Sequence, residues 1–299
     1  MLRTFVFLVF NLLLAAMTAA QNMPLLEERS TRVSDHAYAI VGFPNIGIIV
    51  GDRATLVVDT GLGPRNGATA MRVVNKLSTN QRLYLTTTHF HAEHTAGEAG
   101  FPADTVIIRA AVQEQDAEKS LASMIARFSA MSPQNRELLA GVKVRPPDMV
   151  FDRELKLDLG GVTARLIWFG QAHTKGDEVI FIEPDSTLLP GDIVQDRLVP
   201  RVNPDEGSPK SWLGVLDKVE LLKPRYIVPD HGDLGDGSLI GKQRAFMSDL
   251  QSRALALKRQ GVSAADAGKR LTAEITAQYP GWMNLNLVES FVERVYEEN

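Results

Sequence analysis

The stretch Thr86-Thr-Thr-His-Phe-His-Ala-Glu-His-Thr-Ala-Gly97 governs how the rest of this sequence is interpreted. It places His89, His91, Glu93 and His94 within six consecutive residues, although the whole chain has only 6 histidines. Imidazole nitrogens and carboxylate oxygens are ligands that borderline divalent metals such as Zn²⁺ prefer. A chance cluster of histidines in a polar loop is the alternative, but the dense spacing favours a metal site.

The flanks of this stretch predict a loop at the end of a strand. Residues 82–88 have the composition of a strand, and the small residues 95–97 are a turn signal. A loop can point several ligands at one spot, whereas a helix would distribute them around its axis. We therefore expect these ligands on a non-helical loop.

Three more candidate ligands follow predicted strands. His173 lies in the loop 170–177, Asp192 follows the strand 186–189, and His231 follows a short apolar strand. Each alone would usually be a structural or solvated residue. Together with the first cluster they form a coherent set of metal ligands.

Two interpretations are open for Asp59, which follows the predicted buried strand 54–58. Its carboxylate could cap a turn, as Asp often does after a strand. It could also orient a metal-bound imidazole by accepting that ring's outer N–H. The pattern alone favours neither.

Composition limits the chemistry that is available. The chain has 299 residues, 44% hydrophobic residues, a formal net charge of −4 and no cysteine. Disulfides, thiolate ligands and a cysteine nucleophile are therefore excluded, so any metal must be held by nitrogen and oxygen. The acidic balance and the lack of a Lys/Arg-rich block argue against nucleic acid as a partner and leave a small-molecule substrate.

Residues 1–20 have the features of a secretory signal peptide. A positive charge at Arg3 precedes the apolar run 4–16, and small residues occupy positions 18–20. The run is shorter than the roughly 20 residues that a membrane span needs, so an uncleaved anchor is the weaker alternative. We expect a periplasmic or secreted bacterial protein with no stable membrane span after cleavage.

The remaining pattern alternates strands and helices. A helix at 66–77 separates two strands, a mostly helical region covers 110–139, and residues 150–168 read as a β-meander. Helical periodicity returns at 239–257, 264–277 and 287–295. We predict one main domain at 21–237 and a helical extension at 238–299, packed on that domain or forming a homodimer interface.

Four motifs in order resemble those of the metallo-β-lactamase-fold hydrolase superfamily. They are His-x-His-x-Glu-His at 89–94, Ala-His-Thr-x-Gly-Asp at 172–177, Gly-Asp at 191–192 and Asp-His-Gly at 230–232. The resemblance covers about residues 45–232. It implies an α/β fold: a four-layer αβ/βα sandwich of two mixed β-sheets flanked by helices, with metals at one edge and the helical extension added.

The resemblance also implies seven metal ligands in two groups. The first metal would be held by His89, His91 and His173, the second by Glu93, His94 and His231, and both by Asp192. Asp59 matches a residue that supports a metal-binding histidine from outside the coordination sphere.

Glu93 departs from the family pattern, which usually has Asp there. The extra methylene adds about 1.5 Å of reach, whereas metal–oxygen distances tolerate only about 0.2 Å. Glu93 could bind after a loop shift, bind a water instead, or weaken the second metal. We expect two zinc ions per chain, with the occupancy of the second depending on this residue.

The predicted function is zinc-dependent hydrolysis, because paired zinc ions lower the pKa of a shared water to about 7. Glu93 and Asp192 are the candidate catalytic residues, orienting the hydroxide and moving its proton. Candidate substrates are β-lactams, lactones, thioesters, and phosphate or sulfate esters. The alternatives are an iron-dependent redox member of the fold, which five site imidazoles make less favoured, and a non-catalytic metal-binding accessory protein.

Overall fold

The computed structural model describes residues 25–298. The signal peptide predicted at residues 1–20 lies outside the described residues. Among the described helices, none combines the length and apolar character needed to cross a membrane.

The first sheet, as far as the structure describes the chain, has seven strands. They are β1 (Thr31–Arg32), β2 (Ala37–Ile40), β3 (Ile46–Val50), β4 (Ala54–Val58), β5 (Arg82–Thr86), β6 (Val106–Ala110) and β7 (Met149–Phe151). They are hydrogen-bonded in that order, antiparallel up to β4 and parallel from β4 to β7. The sheet is therefore mixed, and the ends of β4, β5 and β6 meet at one edge.

The second sheet has five strands over the same range. They are β8 (Glu154–Asp158), β9 (Thr163–Trp168), β10 (Glu178–Glu183), β11 (Thr187–Leu189) and β12 (Tyr226–Ile227). Strands β8 to β11 form an antiparallel meander, and β12 pairs parallel to β11. The β-meander predicted over residues 150–168 was wrong at its first strand, because β7 pairs with β6 in the first sheet. Alternation shows which face of a strand is buried, but it does not identify the neighbouring strand.

Eight α-helices accompany these sheets in residues 25–298. They are α1 (Pro64–Leu77), α2 (Ala92–Thr95), α3 (Ala111–Met131), α4 (Pro133–Leu138), α5 (Pro209–Glu220), α6 (Ser238–Arg259), α7 (Ala264–Gln278) and α8 (Val288–Glu298). The predicted helical region 110–139 is divided at Ser132, whose side chain accepts from the backbone N–H of Asn135 and caps α4.

Side-chain alternation along the strands produces four layers. In β4, Leu56 and Val58 face the second sheet, whereas Val57 packs with Val73 of α1 on the opposite face. In β10, Ile180 belongs to the core between the sheets, and its neighbour Val179 packs under the helices of the second sheet. Because both faces are covered, these strands are apolar at successive positions. The predicted αβ/βα sandwich is confirmed.

The C-terminal helices share a core with the second sheet. Leu250 of α6, Leu271 of α7 and Phe291 of α8 belong to the same buried cluster as Trp212 of α5 and Val179. Burying each large apolar side chain contributes about 1.5–3 kcal/mol relative to leaving it in water. The predicted C-terminal helices are present and pack on this sheet.

A buried carboxyl group joins the two sheets near the edge where β5 ends. Glu178 of β10 contacts the Thr86 hydroxyl of β5, and its backbone N–H donates to the carbonyl of Thr88 at 2.8 Å. The Thr86 hydroxyl also lies 2.9 Å from the Ile108 carbonyl, which can only accept. Burial raises the pKa of Glu178 to about 8, although the hydrogen bond that Thr86 donates to this carboxyl group opposes the shift.

We expect the Glu178→Gln variant to gain stability relative to the wild type as pH rises. The unfolded carboxyl releases its proton near 4.5, whereas the folded one keeps it up to about 8. The unfolded state therefore binds fewer protons in this window, and wild-type stability falls by up to about 1.4 kcal/mol per pH unit. Urea denaturation at pH 5 and pH 8 measures the difference, with exposed Glu118→Gln as the control. If the difference in unfolding free energy between Glu178→Gln and the wild type were the same at both pH values, the raised pKa of Glu178 would be contradicted.

Candidate metal centre

The predicted ligands lie at one edge of the sandwich. The stretch after β5 carries four of them, and His173 lies in the connection from β9 to β10. Asp192 occupies a single 3₁₀ turn (Gly191–Ile193) after β11, and His231 follows β12. Parallel strand ends and hairpin loops meet there, which is where open α/β sheets place their sites.

The ligand stretch is partly helical, which corrects the prediction of a loop. His91 has an extended backbone (φ −60°, ψ 149°) and precedes α2, the helix that carries Glu93 and His94. In an α-helix, consecutive side chains are rotated by about 100° around the helix axis. Because α2 is only one turn long, its two adjacent ligands diverge but remain on the side of the helix that faces the other histidines.

The structure brings all seven predicted ligands together. Ligand atoms of His89, His91 and His173 lie within 4.8 Å of one another, and so do those of Glu93, His94 and His231. Asp192 lies between the two groups, 3.3 Å from Nε2 of His173 and 3.2 Å from Nε2 of His231. All of these side chains are buried.

Hydrogen bonds on the outer side of two imidazoles fix which nitrogens face inward. His173 donates from Nδ1 to the Arg201 carbonyl at 2.9 Å, since a carbonyl can only accept, and its Nε2 is left as a lone pair. His91 places Nε2 3.0 Å from the Glu206 carboxylate. When both rings are neutral, the outer protons leave lone pairs on Nδ1 of His91 and Nε2 of His173, which lie only 3.2 Å apart. Two facing lone pairs repel, and a shared cation removes that repulsion.

Asp59 supports His94. Its Oδ2 lies 3.1 Å from Nδ1 of His94, and its Oδ1 accepts from the backbone N–H of Thr88 at 2.7 Å. Asp59 therefore has both of the roles considered from the sequence: it fixes a turn, and it orients an imidazole. The residue has φ 68°, a left-handed conformation that Asp tolerates better than most residues. The Nδ1–H of His94 faces this carboxylate, so Nε2 points into the site.

Unpartnered buried atoms test whether these residues fit a metal. Among the residues that the structure describes, Nε2 of His89, Nε2 of His94 and Oε2 of Glu93 are buried without a hydrogen-bond partner. Leaving such a group unsatisfied costs about 1–3 kcal/mol. A divalent cation satisfies nitrogen and carboxylate lone pairs together, so the donor set fits a metal such as zinc.

Electrostatics keep His89 and Asp192 in the forms that a cation requires. Burial, together with the neighbouring histidines, lowers the pKa of His89 well below its ordinary value, so this ring is neutral. Burial raises the pKa of Asp192, but His231 and His173 lower it further, and the net shift is downward. Asp192 is therefore an anion between the two histidine groups.

Sequence reasoning gave no role to three residues that contact the ligands. Asp230 lies 3.3 Å from Nδ1 of His94, beside Asp59. Its position directly before His231 was the one available signal. Glu206 and the Arg201 carbonyl come from the irregular loop 197–207, where no periodicity points to a site.

The loop 197–207 is held by the C-terminal region. The backbone N–H of Val199 donates to the Met283 carbonyl at 3.1 Å, and that of Met283 donates to the Arg197 carbonyl at 3.0 Å. Arg294 of α8 donates to the Gly207 carbonyl at 3.2 Å. The segment that orients His91 and His173 is thereby fixed to the helical extension.

We expect Glu206→Gln to lower metal affinity by about 10- to 100-fold, the usual cost of losing a hydrogen-bond partner outside the coordination sphere. The carboxylate, whose pKa lies at about 2 despite burial because of its bond to His91, strengthens that imidazole as a donor. Competition with a chelating dye measures affinity, and exposed Glu118→Gln is the control. Equal affinity in both variants would remove the role of Glu206.

A cavity of about 330 Å³ opens above the ligands. Helix α3 contributes Phe128 and Met131 to its wall, and Asn284 comes from the segment between α7 and α8. The wall of this cavity therefore includes α3 and the C-terminal extension. The volume suits a small molecule.

Comparison with known proteins places this site in a family. The model of the metallo-β-lactamase superfamily matches residues 39–231. The chain belongs to the metallo-β-lactamase superfamily, and it is a hydrolase of that superfamily with His, Asp and Glu groups that could hold metal ions.

Its relatives are distant. A type 2 metallo-β-lactamase from Bacteroides fragilis is 24% identical over 257 residues, which cover 80% of this chain and 93% of that protein. The structure of an inverting sec-alkylsulfatase from Pseudomonas sp. matches with TM-score 0.69 and 16% identity. It covers 90% of this chain, which spans only 50% of the alkylsulfatase. A metallo-β-lactamase from Pontibacter korlensis matches with TM-score 0.59, 19% identity and coverage of 74% and 99%, respectively. These structures share the fold.

Proposed function

We propose that this chain is an exported hydrolase with two zinc ions that cleaves a small carbonyl or ester-type substrate. The observation that carries the proposal is the arrangement of two three-residue ligand groups with Asp192 between them. The orientation of each outer N–H away from the site supports it. His91, His173 and His94 would each present a lone pair to a cation.

Zinc ions bound in the two groups would supply an activated water at neutral pH and polarise the scissile carbonyl or ester bond. The chain itself provides the positioning. Asp192 lies between the groups as an anion, where its carboxylate can orient the attacking water. Glu93 lines the cavity beside these groups, and its carboxylate is placed to accept the proton that this water loses.

The substrate class is open to a direct test. One relative is named a metallo-β-lactamase and another structure a sec-alkylsulfatase, so β-lactams and sulfate esters join lactones and thioesters in the panel. The purified mature protein is assayed with a chromogenic member of each class, before and after chelation and zinc reloading. Turnover that disappears with the chelator and returns with zinc is expected. Activity restored only by iron, or two bound metals without hydrolysis across the panel, would overturn the proposal.

We expect Glu93→Asp to change the occupancy of the second metal rather than the first. The Glu93 carboxylate lies within 4.8 Å of the donors of His94 and His231, so it reaches that group despite its longer side chain. Shortening it by about 1.5 Å alters that reach by far more than metal–oxygen distances tolerate. Metal content per chain and its titration profile measure the effect. An unchanged second-site affinity and rate would show that Glu93 is not a ligand.

We also propose that the protein is exported and that it forms a homodimer. Signal cleavage after residue 20 would release the mature chain into the bacterial periplasm or medium, and cell fractionation with N-terminal sequencing tests this. The helical extension 238–299 is the candidate homodimer surface. Sedimentation of the mature protein tests it, and a monomer at micromolar concentration would remove that part.

A further inference from the structure

His231 differs from the other candidate ligands because its imidazole has no hydrogen-bond partner on the outer side. Its Nε2 faces Oδ1 of Asp192 at 3.2 Å, and its Nδ1 is buried without a partner among the described residues. The other four site imidazoles each have a nitrogen within 3.1 Å of an oxygen from outside the ligand set. Such partners fix the orientation of a metal-binding ring, so His231 must be held in another way.

An aromatic ring lies against this imidazole. The ring centroids of Phe43 and His231 are 3.9 Å apart, and the two planes are inclined by 30°, which is a stacked arrangement. Phe43 is half-buried and lines the cavity above the ligands. Because stacked rings prefer nearly parallel planes, Phe43 limits how far the imidazole can tilt.

The turn that carries Phe43 is bound to the backbone around His231. It comprises residues 41–45, between β2 and β3, and Asn45 at its end is only 1% exposed. The backbone N–H and the side-chain amide of Asn45 donate to three carbonyls on either side of His231, those of Asp230 at 2.7 Å, Pro229 at 2.7 Å and Gly232 at 3.1 Å. The stacked ring and the imidazole are therefore fixed relative to each other through the backbone as well.

The contact of Phe43 is confined to one ligand. Within residues 25–298, the remaining ring contacts of the site join the histidines to one another, to Phe90 or to Trp212. His231 belongs to the second ligand group, which comprises Glu93, His94 and His231. A change at Phe43 therefore acts on this group and leaves the first group, that of His89, His91 and His173, without a lost contact.

Resting on the two-metal site of the proposed function, we propose that Phe43 is a positioning residue for His231 and determines how tightly the second ligand group binds its metal. The ring of Phe43 takes the place of the hydrogen-bond partner that this imidazole lacks. The turn 41–45 keeps the ring in position, because Asn45 attaches the turn to the backbone beside His231. Phe43 acts through the ligand and not on the substrate.

Stepwise zinc titration of the metal-free protein against a chelating dye measures the affinity of each ligand group. Phe43→Leu keeps an apolar side chain but removes the stacked ring. It should lower the affinity of the second group by about 2- to 12-fold, the contribution of an aromatic pair, and leave that of the first group unchanged. Phe43→Tyr keeps the ring and should restore the wild-type affinity. With cobalt in place of zinc, the visible absorption of the second ion should change in Phe43→Leu and not in Phe43→Tyr.

Phe169→Leu is the matched control, because Phe169 is also half-buried but is not among the residues that line the cavity. It should keep both affinities. The proposal would be overturned by an equal loss at both ligand groups in Phe43→Leu, by no loss at either, or by a loss of the same size in Phe169→Leu. It would also be overturned if Phe43→Tyr bound the second metal no better than Phe43→Leu, since the volume and not the ring would then matter.

Hydrolysis assays on the same proteins separate this proposal from the hydrolase proposal. If Phe43→Leu weakens the second metal while the wild type cleaves no substrate of the panel, the positioning role stands and the hydrolase fails. If the wild type binds two metals and hydrolyses a substrate, but Phe43→Leu changes only KM, the ring contacts the substrate and the positioning role fails. A wild type that binds a single metal would overturn both.

Discussion

Replacing His89 by Ala is expected to lower kcat/KM for any substrate found by at least about 100-fold, since losing even an outer hydrogen-bond partner of a ligand costs about 10- to 100-fold. His89 is fully buried, and its Nε2 is unpartnered among the described residues while its ring lies 4.6 Å from His91 and 4.1 Å from His94, centroid to centroid. It thus lies at the centre of the histidine cluster. Kinetics and metal content measured together would show turnover and bound metal falling in parallel.

The matched control for this change is His36→Ala. His36 is the one histidine outside the cluster, and it pairs at 2.8 Å with Asp185, which lies in the turn between β10 and β11. We expect its loss to leave metal content unchanged. Wild-type hydrolysis in His89→Ala would show that the assigned site is not the catalytic one.

Arg109→Met is expected to lower the free energy of unfolding by about 3–5 kcal/mol, the cost of leaving a buried charge without its partner. The Arg109 side chain is only 1% exposed and pairs with Glu98 and with Glu114, the latter at 2.6 Å. Burial already raises the pKa of Glu98, and Arg109 opposes that shift. Without Arg109 the carboxyl must either stay charged in the core or take up a proton.

Urea denaturation of the metal-free proteins measures this loss. Arg165→Met is the matched control, because its partially exposed pairs with Glu154 and Glu183 should contribute only about 0–1 kcal/mol. The double variant Arg109→Met/Glu98→Leu should recover much of the stability, since an apolar pair can replace a buried ion pair. Equal losses from Arg109→Met and Arg165→Met would contradict the role of the buried pair.

The strands of this fold could be predicted from the sequence because burial repeats along each of them, whereas the four layers followed from the resemblance of the motifs to a known family. In β4 every residue is buried, and a strand with both faces covered has no polar face to interrupt its apolar run. The partner of β7 could not be predicted in this way. Its exposed Met149 and Val150 and its single buried residue carry no information about which sheet receives it.

The candidate ligands were predictable because each is a chemically distinctive residue in a connection that begins where a strand ends. Their supporting residues were less accessible to sequence reasoning. Glu206 reaches His91 from 115 positions away, and a carboxylate in a surface-like loop resembles any solvated one. The Arg201 contribution is a backbone carbonyl, which every residue type possesses, so no sequence pattern could reveal it.

The hydrogen bonds between the loop 197–207 and the C-terminal region make local opening and metal release a linked equilibrium. If the contacts of Met283 and Arg294 break, the loop that carries the Arg201 carbonyl and Glu206 loses its support, and the two imidazoles lose their orientation. Linkage is reciprocal, so an ion held by those imidazoles favours the closed form of the C-terminal region to the same extent. The concentration of the cation would therefore determine how often α8 detaches from the loop 197–207.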